Sequence, residues 1–200
     1  MIILYLKPKI IIDMKKLLLI AVAALGTFTA SAQMKVEDIT VEKNLTVEGK
    51  ELTLNGAGLR EKFFIDLYVA GFYTTAQSKD GKALTNADQP MAITLDIVSK
   101  LVTQEKMIEA IVDGFEDSVD DAERKKLQPK IEKFIGFFNE AIIEGNEFQI
   151  SYVPGKGTMA HKNGKLLGSI DGLDFKKGLF GIWIGNDPAD NGLRKDLLGL

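Results

Sequence analysis

Short alternations of apolar and polar residues begin at Lys35. The stretches VEDITVEK and LTVEG, within Lys35 to Glu48, and the run Glu51 to Leu54 follow the two-residue period of strands. Asn55-Gly56-Ala57-Gly58 interrupts them with a turn or bulge signal. Phe63 to Thr75 is the longest strand candidate. Its alternation puts Phe63, Ile65, Leu67, Val69, Gly71 and Tyr73 on one face, which reads as a core face. Phe64, Asp66, Tyr68, Ala70 and Phe72 fall on the other, a mixed face suited to a pocket beneath helices or to a half-covered sheet. Ser78 to Asn86 reads as a loop or short helix, and Met91 to Val98 as a strand.

The period then lengthens. Thr103 is placed to cap a helix in which Met107, Ile108, Ile111, Val112, Phe115 and Val119 share a stripe. Asp120 to Leu127 is charged and helical in pattern. Pro129 disfavours helix at Gln128 and suits the first turn of a new one. That helix would carry Ile131, Phe134, Ile135, Phe138, Ala141 and Ile142, and end at Gly145. Phe148 to Val153 predicts a strand, Pro154 to Gly157 a turn, and Thr158 to His161 a returning strand. Asn163-Gly164 is a two-residue hairpin signal before Lys165 to Ile170. Phe175 to Ile184 predicts a helix. Asn186-Asp187-Pro188 predicts the cap of a last helix reaching about Leu198. Strands, two core helices, a hairpin and two more helices predict an α+β fold, with helices packed on one side of an antiparallel sheet.

Composition changes the picture at the N-terminus. Met14-Lys15-Lys16, the apolar run Leu17 to Phe28 and the ending Ala30-Ser31-Ala32 form the pattern of a secretory signal peptide. Residues 1–32 are therefore expected to be an upstream extension and signal peptide, with Met14 as initiator, cleavage after Ala32 and residues 33–200 as one domain. The apolar run is shorter than the roughly 20 residues that span a bilayer, so no integral membrane segment is expected after cleavage. The pattern points to a bacterial periplasm. The net charge of −3 argues against nucleic acid. The chain has no cysteine, which excludes thiol nucleophiles and cysteine-based metal sites. Its one histidine, His161, lies between turn signals and is expected at the surface, with no local partner for a triad or a zinc site. No metal or cofactor is expected.

Arg60 is the remaining puzzle. It sits between the glycine cluster and the aromatic run, either as a solvated strand end or as a cation awaiting an anion. Gly56-x-Gly58-x-Arg60-x-Lys62, followed by Leu67 to Tyr73, resembles the chalcone isomerase-like superfamily. The tail Leu179-Phe180-Gly181-Ile182-Trp183-Ile184-Gly185, then Pro188 and Leu197-Leu198-Gly199, resembles the ending of its bacterial secreted branch. Tyr152-Val153-Pro154-Gly155, Gly157-Thr158 and Gly168-x-Ile170 fit as well. The resemblance spans about Asp38 to Gly199. It implies a chalcone-isomerase-like fold: a large antiparallel β-sheet with helices layered on one face, a small strand cluster, and a cleft between sheet and helices.

The resemblance further implies a choice among functions. In the plant isomerases of the superfamily a catalytic threonine stands three residues before a glycine. Here that position is Tyr68, before Gly71. Tyr68 and Arg60-Glu61-Lys62 are instead similar to the fatty-acid-binding branch. That branch implies a non-catalytic binder in which Arg60 and Tyr68 hold a fatty acid or other small apolar carboxylate, with Tyr73 as a further ligand-binding candidate and Tyr152 as a spare. The alternatives are a structural or partner-binding module with a filled pocket, and a chalcone-isomerase-type intramolecular lyase. One spacing sets a condition. Arg60 and Tyr68 are eight residues apart, about 26 Å on a continuous strand at roughly 3.3 Å per residue. They share a pocket only if the chain turns near Glu61-Lys62.

Overall fold

The computed structural model describes residues 33–200; the segment read as an upstream extension and signal peptide lies outside the described residues. Two short strands, β1 (Met34–Val36) and β2 (Ile39–Val41), form a separate antiparallel hairpin. Seven strands follow in one antiparallel meander: β3 (Asn44–Val47), β4 (Lys50–Lys62), β5 (Ile65–Thr74), β6 (Met91–Ile97), β7 (Glu147–Val153), β8 (Gly157–Lys162) and β9 (Lys165–Ile170). Helix α1 (Gly81–Asn86) joins β5 to β6. Helices α2 (Gln104–Ser118) and α3 (Asp121–Ile135) lie between β6 and β7. Helices α4 (Leu173–Ile184) and α5 (Asn191–Leu198) end the chain.

The sheet buries both faces, unequally. Ala70 and Phe72 of β5, Ile93 and Leu95 of β6, and Phe148 and Ile150 of β7 pack against Phe115 of α2, Phe134 of α3, and Phe175, Leu179 and Phe180 of α4. The opposite face carries a smaller cluster, in which Leu52, Val69 and Tyr73 meet Val41 of the β1–β2 hairpin. The main core thus lies on the face of Tyr68, Ala70 and Phe72, expected to be the mixed one.

Three elements differ from expectation. The cluster Asn55-Gly56-Ala57-Gly58 is not a turn: β4 runs straight through it, with a register shift between Leu54 and Gly56. Ideal Cβ atoms on Gly56 and Gly58 would lie 2.1 Å from the Asp196 carbonyl oxygen and 2.6 Å from the Asp196 side chain. The glycines are there because α5 lies directly on the strand. Helix α3 also runs through Pro129 and stops at Ile135, so Phe138 and Ile142 reach the core from an irregular segment. Pro129 and Lys125 are both exposed, which lets water satisfy the carbonyl that loses its donor. Finally, the cap of α5 is Asp190, not Asn186 to Pro188. Its Oδ1 accepts from the Gly192 and Leu193 amides at 2.7 and 3.0 Å, satisfying two of the unpaired donors at the helix start.

Candidate functional site

The chain reverses between β4 and β5 over two residues, Phe63 and Phe64. Both have left-handed backbones, with φ of 54° and 63°, as a tight two-residue hairpin of the I′ type requires. Asparagine and glycine are the usual occupants, because a bulky residue there costs roughly 1–2 kcal/mol. The turn follows immediately after the Arg60-Glu61-Lys62 step. It makes Arg60 and Tyr68 direct cross-strand partners, so their side chains rise from the same face. A second register shift follows at once: Glu61 pairs with Asp66, leaving Leu67 as an extra residue. Such a bulge re-aims neighbouring side chains, and here Ile65, Leu67 and Tyr68 all line one cavity.

That cavity has a volume of about 370 Å³. The hairpin supplies one wall, with Arg60 and Tyr68 its polar members. Helix α2 supplies the opposite wall through Met107, Ala110 and Ile111. Ile182 and Trp183 of α4 also line it, and Lys62, Leu101 and Lys106 stand among the remaining lining residues. The lining is mostly apolar, as small-molecule sites generally are.

Two residues far away in sequence complete the polar corner. The Trp183 indole Nε1 donates to the Tyr68 hydroxyl at 3.1 Å. This takes up an acceptor position on the phenol, and among the described residues no group accepts the Tyr68 proton. Burial raises the Tyr68 pKa, against the opposing pull of the Trp183 hydrogen bond and the Arg60 charge, so the phenol stays protonated and able to donate. Arg60 donates from Nη1 to Oδ2 of Asp190, the cap of α5. Burial alone would raise the Asp190 pKa, but the Leu193 amide and Arg60 outweigh it and hold the carboxylate below its ordinary range. Arg60 is therefore neither a solvated strand end nor a bare cation. Nη1 also makes a long 3.5 Å contact to the Glu61 carbonyl. The guanidinium also reaches the Tyr68 hydroxyl in a weak contact that helps lower the phenol's pKa, and among the described residues no carbonyl or carboxylate accepts from Nε or Nη2. A guanidinium anchored through one nitrogen keeps a second N–H edge for a planar anion.

The other tyrosine candidates stand elsewhere. Tyr73 is on the opposite face of β5, buried in the smaller cluster, and donates to the Glu42 carbonyl at 2.9 Å. Burial pushes its pKa up to about 12. The odd spacing from Tyr68 puts it across the sheet from the cavity. Tyr152 donates to Asp88 at 2.6 Å beneath α4 and does not line the cavity either. His161 lies within β8 and is only partly exposed, with a buried Nδ1 that has no hydrogen-bond partner. Trp183 and Asp190 escaped the sequence reading as site residues. Trp183 sat inside a matched motif, but nothing local tied it to Tyr68, 115 positions earlier.

A seven-stranded antiparallel meander with helices on one face, a strand pair on the other and a cleft under the helices defines the chalcone-isomerase-like architecture. The family profile described as chalcone isomerase-like matches residues 33–199, and the chain belongs to that family. Among solved structures, that of a fatty-acid binding protein of Arabidopsis thaliana is similar to this chain with a TM-score of 0.64. The two are 19% identical in sequence, over 80% of this chain and 92% of that one. At that identity the likeness is one of fold. Among the curated proteins no sequence matches.

Proposed function

We propose that this protein is a non-catalytic carrier that holds a fatty acid or similar small apolar carboxylate in the cavity between the β4–β5 hairpin and helices α2 and α4. One observation carries the reading: Arg60 and Tyr68 stand side by side in a mostly apolar cavity, and beyond the Arg60–Asp190 pair and the long Arg60–Glu61 contact no carboxylate or carbonyl among the described residues accepts from the guanidinium or the phenol. A carboxylate would take two hydrogen bonds, one from the free edge of Arg60 and one from Tyr68, while Trp183 and Asp190 hold both donors in place. The acyl chain would lie against Leu67, Met107 and Ile182, each buried methylene stabilising by roughly 0.8 kcal/mol. The similarity in fold to a plant fatty-acid binding protein supports the assignment. Tyrosine in place of the isomerase threonine argues against ring closure, and an open cavity argues against a purely structural module. The signal-peptide pattern supports export to a bacterial periplasm, with a mature chain beginning at Gln33; N-terminal sequencing of the exported protein tests that.

The test of the carrier is native mass spectrometry of the purified wild type and Arg60→Ala. The expected result is added mass that solvent extraction identifies as fatty acid, lost or much reduced in the variant. A wild-type protein that arrives bare and takes up no added fatty acid overturns the reading.

A further inference from the structure

The hairpin tip is the most exposed apolar feature among the described residues. Phe63 is 83% and Phe64 97% exposed, and both occupy backbone conformations that bulky residues rarely adopt. A folding requirement does not explain them, since asparagine and glycine would make the same turn better. Their position is informative. Phe63 lines the cavity and projects from its mouth, with Ile65 (39% exposed) beside it. Leu101, 47% exposed, lines the same cavity from the segment before α2. The mouth therefore has two apolar lips, one at the hairpin tip and one at the start of α2.

The charges are sorted around these lips. Lys62 pairs across the hairpin with Ile65, on the cavity side. Lys100 and Lys106 lie on either side of Leu101 in sequence, and both are exposed, as is the single acidic residue between them, Glu105. The acidic pair Glu61 and Asp66 sits one step back from the tip, on the opposite face of the hairpin. Glu109 and Asp113 line the cavity about one and two turns further along α2 than Lys106.

We propose that the Phe63–Phe64 tip and Leu101 dock the mouth of the cavity onto an anionic lipid bilayer. The aromatic rings would enter the headgroup region while Lys62, Lys100 and Lys106 face the lipid phosphates. Aromatic side chains flanked by lysines are suited to that interface, where one end of the contact is apolar and the other wet. The inference rests on the carrier reading and deepens it: an acyl ligand is richest in a membrane, and this contact lets it pass through the mouth without crossing water.

The test is flotation with vesicles of phosphatidylethanolamine and phosphatidylglycerol, using the whole mature chain and Phe64→Gly. Glycine suits the φ of Phe64, so the variant keeps the turn, and Phe64 does not line the cavity. The expected result is vesicle association that weakens about tenfold in Phe64→Gly. Added salt should weaken it further. Because the chain has no cysteine, Phe64→Cys accepts a single environment-sensitive dye, whose emission should shift to the blue on vesicles. Wild-type protein that does not float, or floats equally well as Phe64→Gly, overturns the proposal. A dimer that sedimentation detects and Phe64→Gly dissolves also overturns it, in favour of a second copy of the chain. Dodecanoate binding followed through Trp183 fluorescence, without vesicles, keeps the two readings apart. Binding without flotation sinks the docking alone, whereas flotation without binding sinks the carrier.

Discussion

Tyr68 and Tyr73 stand on one strand, five residues apart, and meet opposite fates. Tyr73 belongs to a face that is closed: its hydroxyl has found a carbonyl and its ring is packed beneath the β1–β2 hairpin. Tyr68 belongs to a face that is closed along most of its length and open at one end. There the hydroxyl accepts from Trp183 and keeps its proton unused, and its cross-strand neighbour Arg60 has donors left over. Burial by itself therefore does not distinguish a tyrosine whose donor is used up from one whose donor is still free. The difference is whether the donor has been satisfied by the fold.

The comparison can be broken most severely at its foundation. Gly56→Ala places a Cβ where the Asp196 carbonyl now sits, pushing α5 and its Asp190 cap away from Arg60. The expected loss is about 3 kcal/mol of unfolding free energy, read from urea titrations, with ligand binding falling along with it. At the tyrosines, Tyr68→Phe should weaken dodecanoate affinity about tenfold, the cost of one hydrogen bond to a charged group. Tyr73→Phe should leave that affinity unchanged and cost about 1 kcal/mol of stability. Equal affinity losses in both variants would erase the distinction.

The closed face carries its own liability. Asp96 on β6 pairs directly with Glu147 on β7. Burial, and then the Glu147 charge, push its pKa up to about 6. A carboxyl whose folded pKa lies above its unfolded value contributes stability at low pH that is lost as pH rises from about 4 through 6. Asp96→Asn should therefore stabilise by about 1 kcal/mol at pH 7, and the gain should shrink between pH 6 and pH 4. Thermal melts across that range check the sign. An effect of similar size belongs to the tip. Phe63→Asn combined with Phe64→Gly should raise stability by about 1 kcal/mol through relief of the left-handed strain, measurable in the same melts.

What could be read in advance follows from where the information sits. Strands such as Met91–Ile97 and the Asn163-Gly164 hairpin are specified by residues adjacent in sequence, and the sequence reading places them well. The glycine cluster misleads because close approach and turning use the same residue: Gly56 and Gly58 make room for α5, whose contact residues come 140 positions later. The Phe63–Phe64 turn is hidden for the converse reason, since two phenylalanines carry no turn chemistry and look like strand. The motif singles out Arg60 and Tyr68, and the structure places both on the wall of one cavity. Trp183 and Asp190 could not be read that way, because their roles exist only once the helices are laid on the sheet.

Asp190 divides its two oxygens between two tasks, Oδ1 for the first amides of α5 and Oδ2 for Arg60. The head of the cavity and the last helix are thereby joined through one carboxylate. A ligand that drew the guanidinium toward itself would loosen Oδ2 and leave Asp190 freer to rotate off the helix. The Gly192 and Leu193 amides would then exchange with deuterium faster in the occupied protein than in the empty one, so that the state of the cavity is reported by protons on a different element.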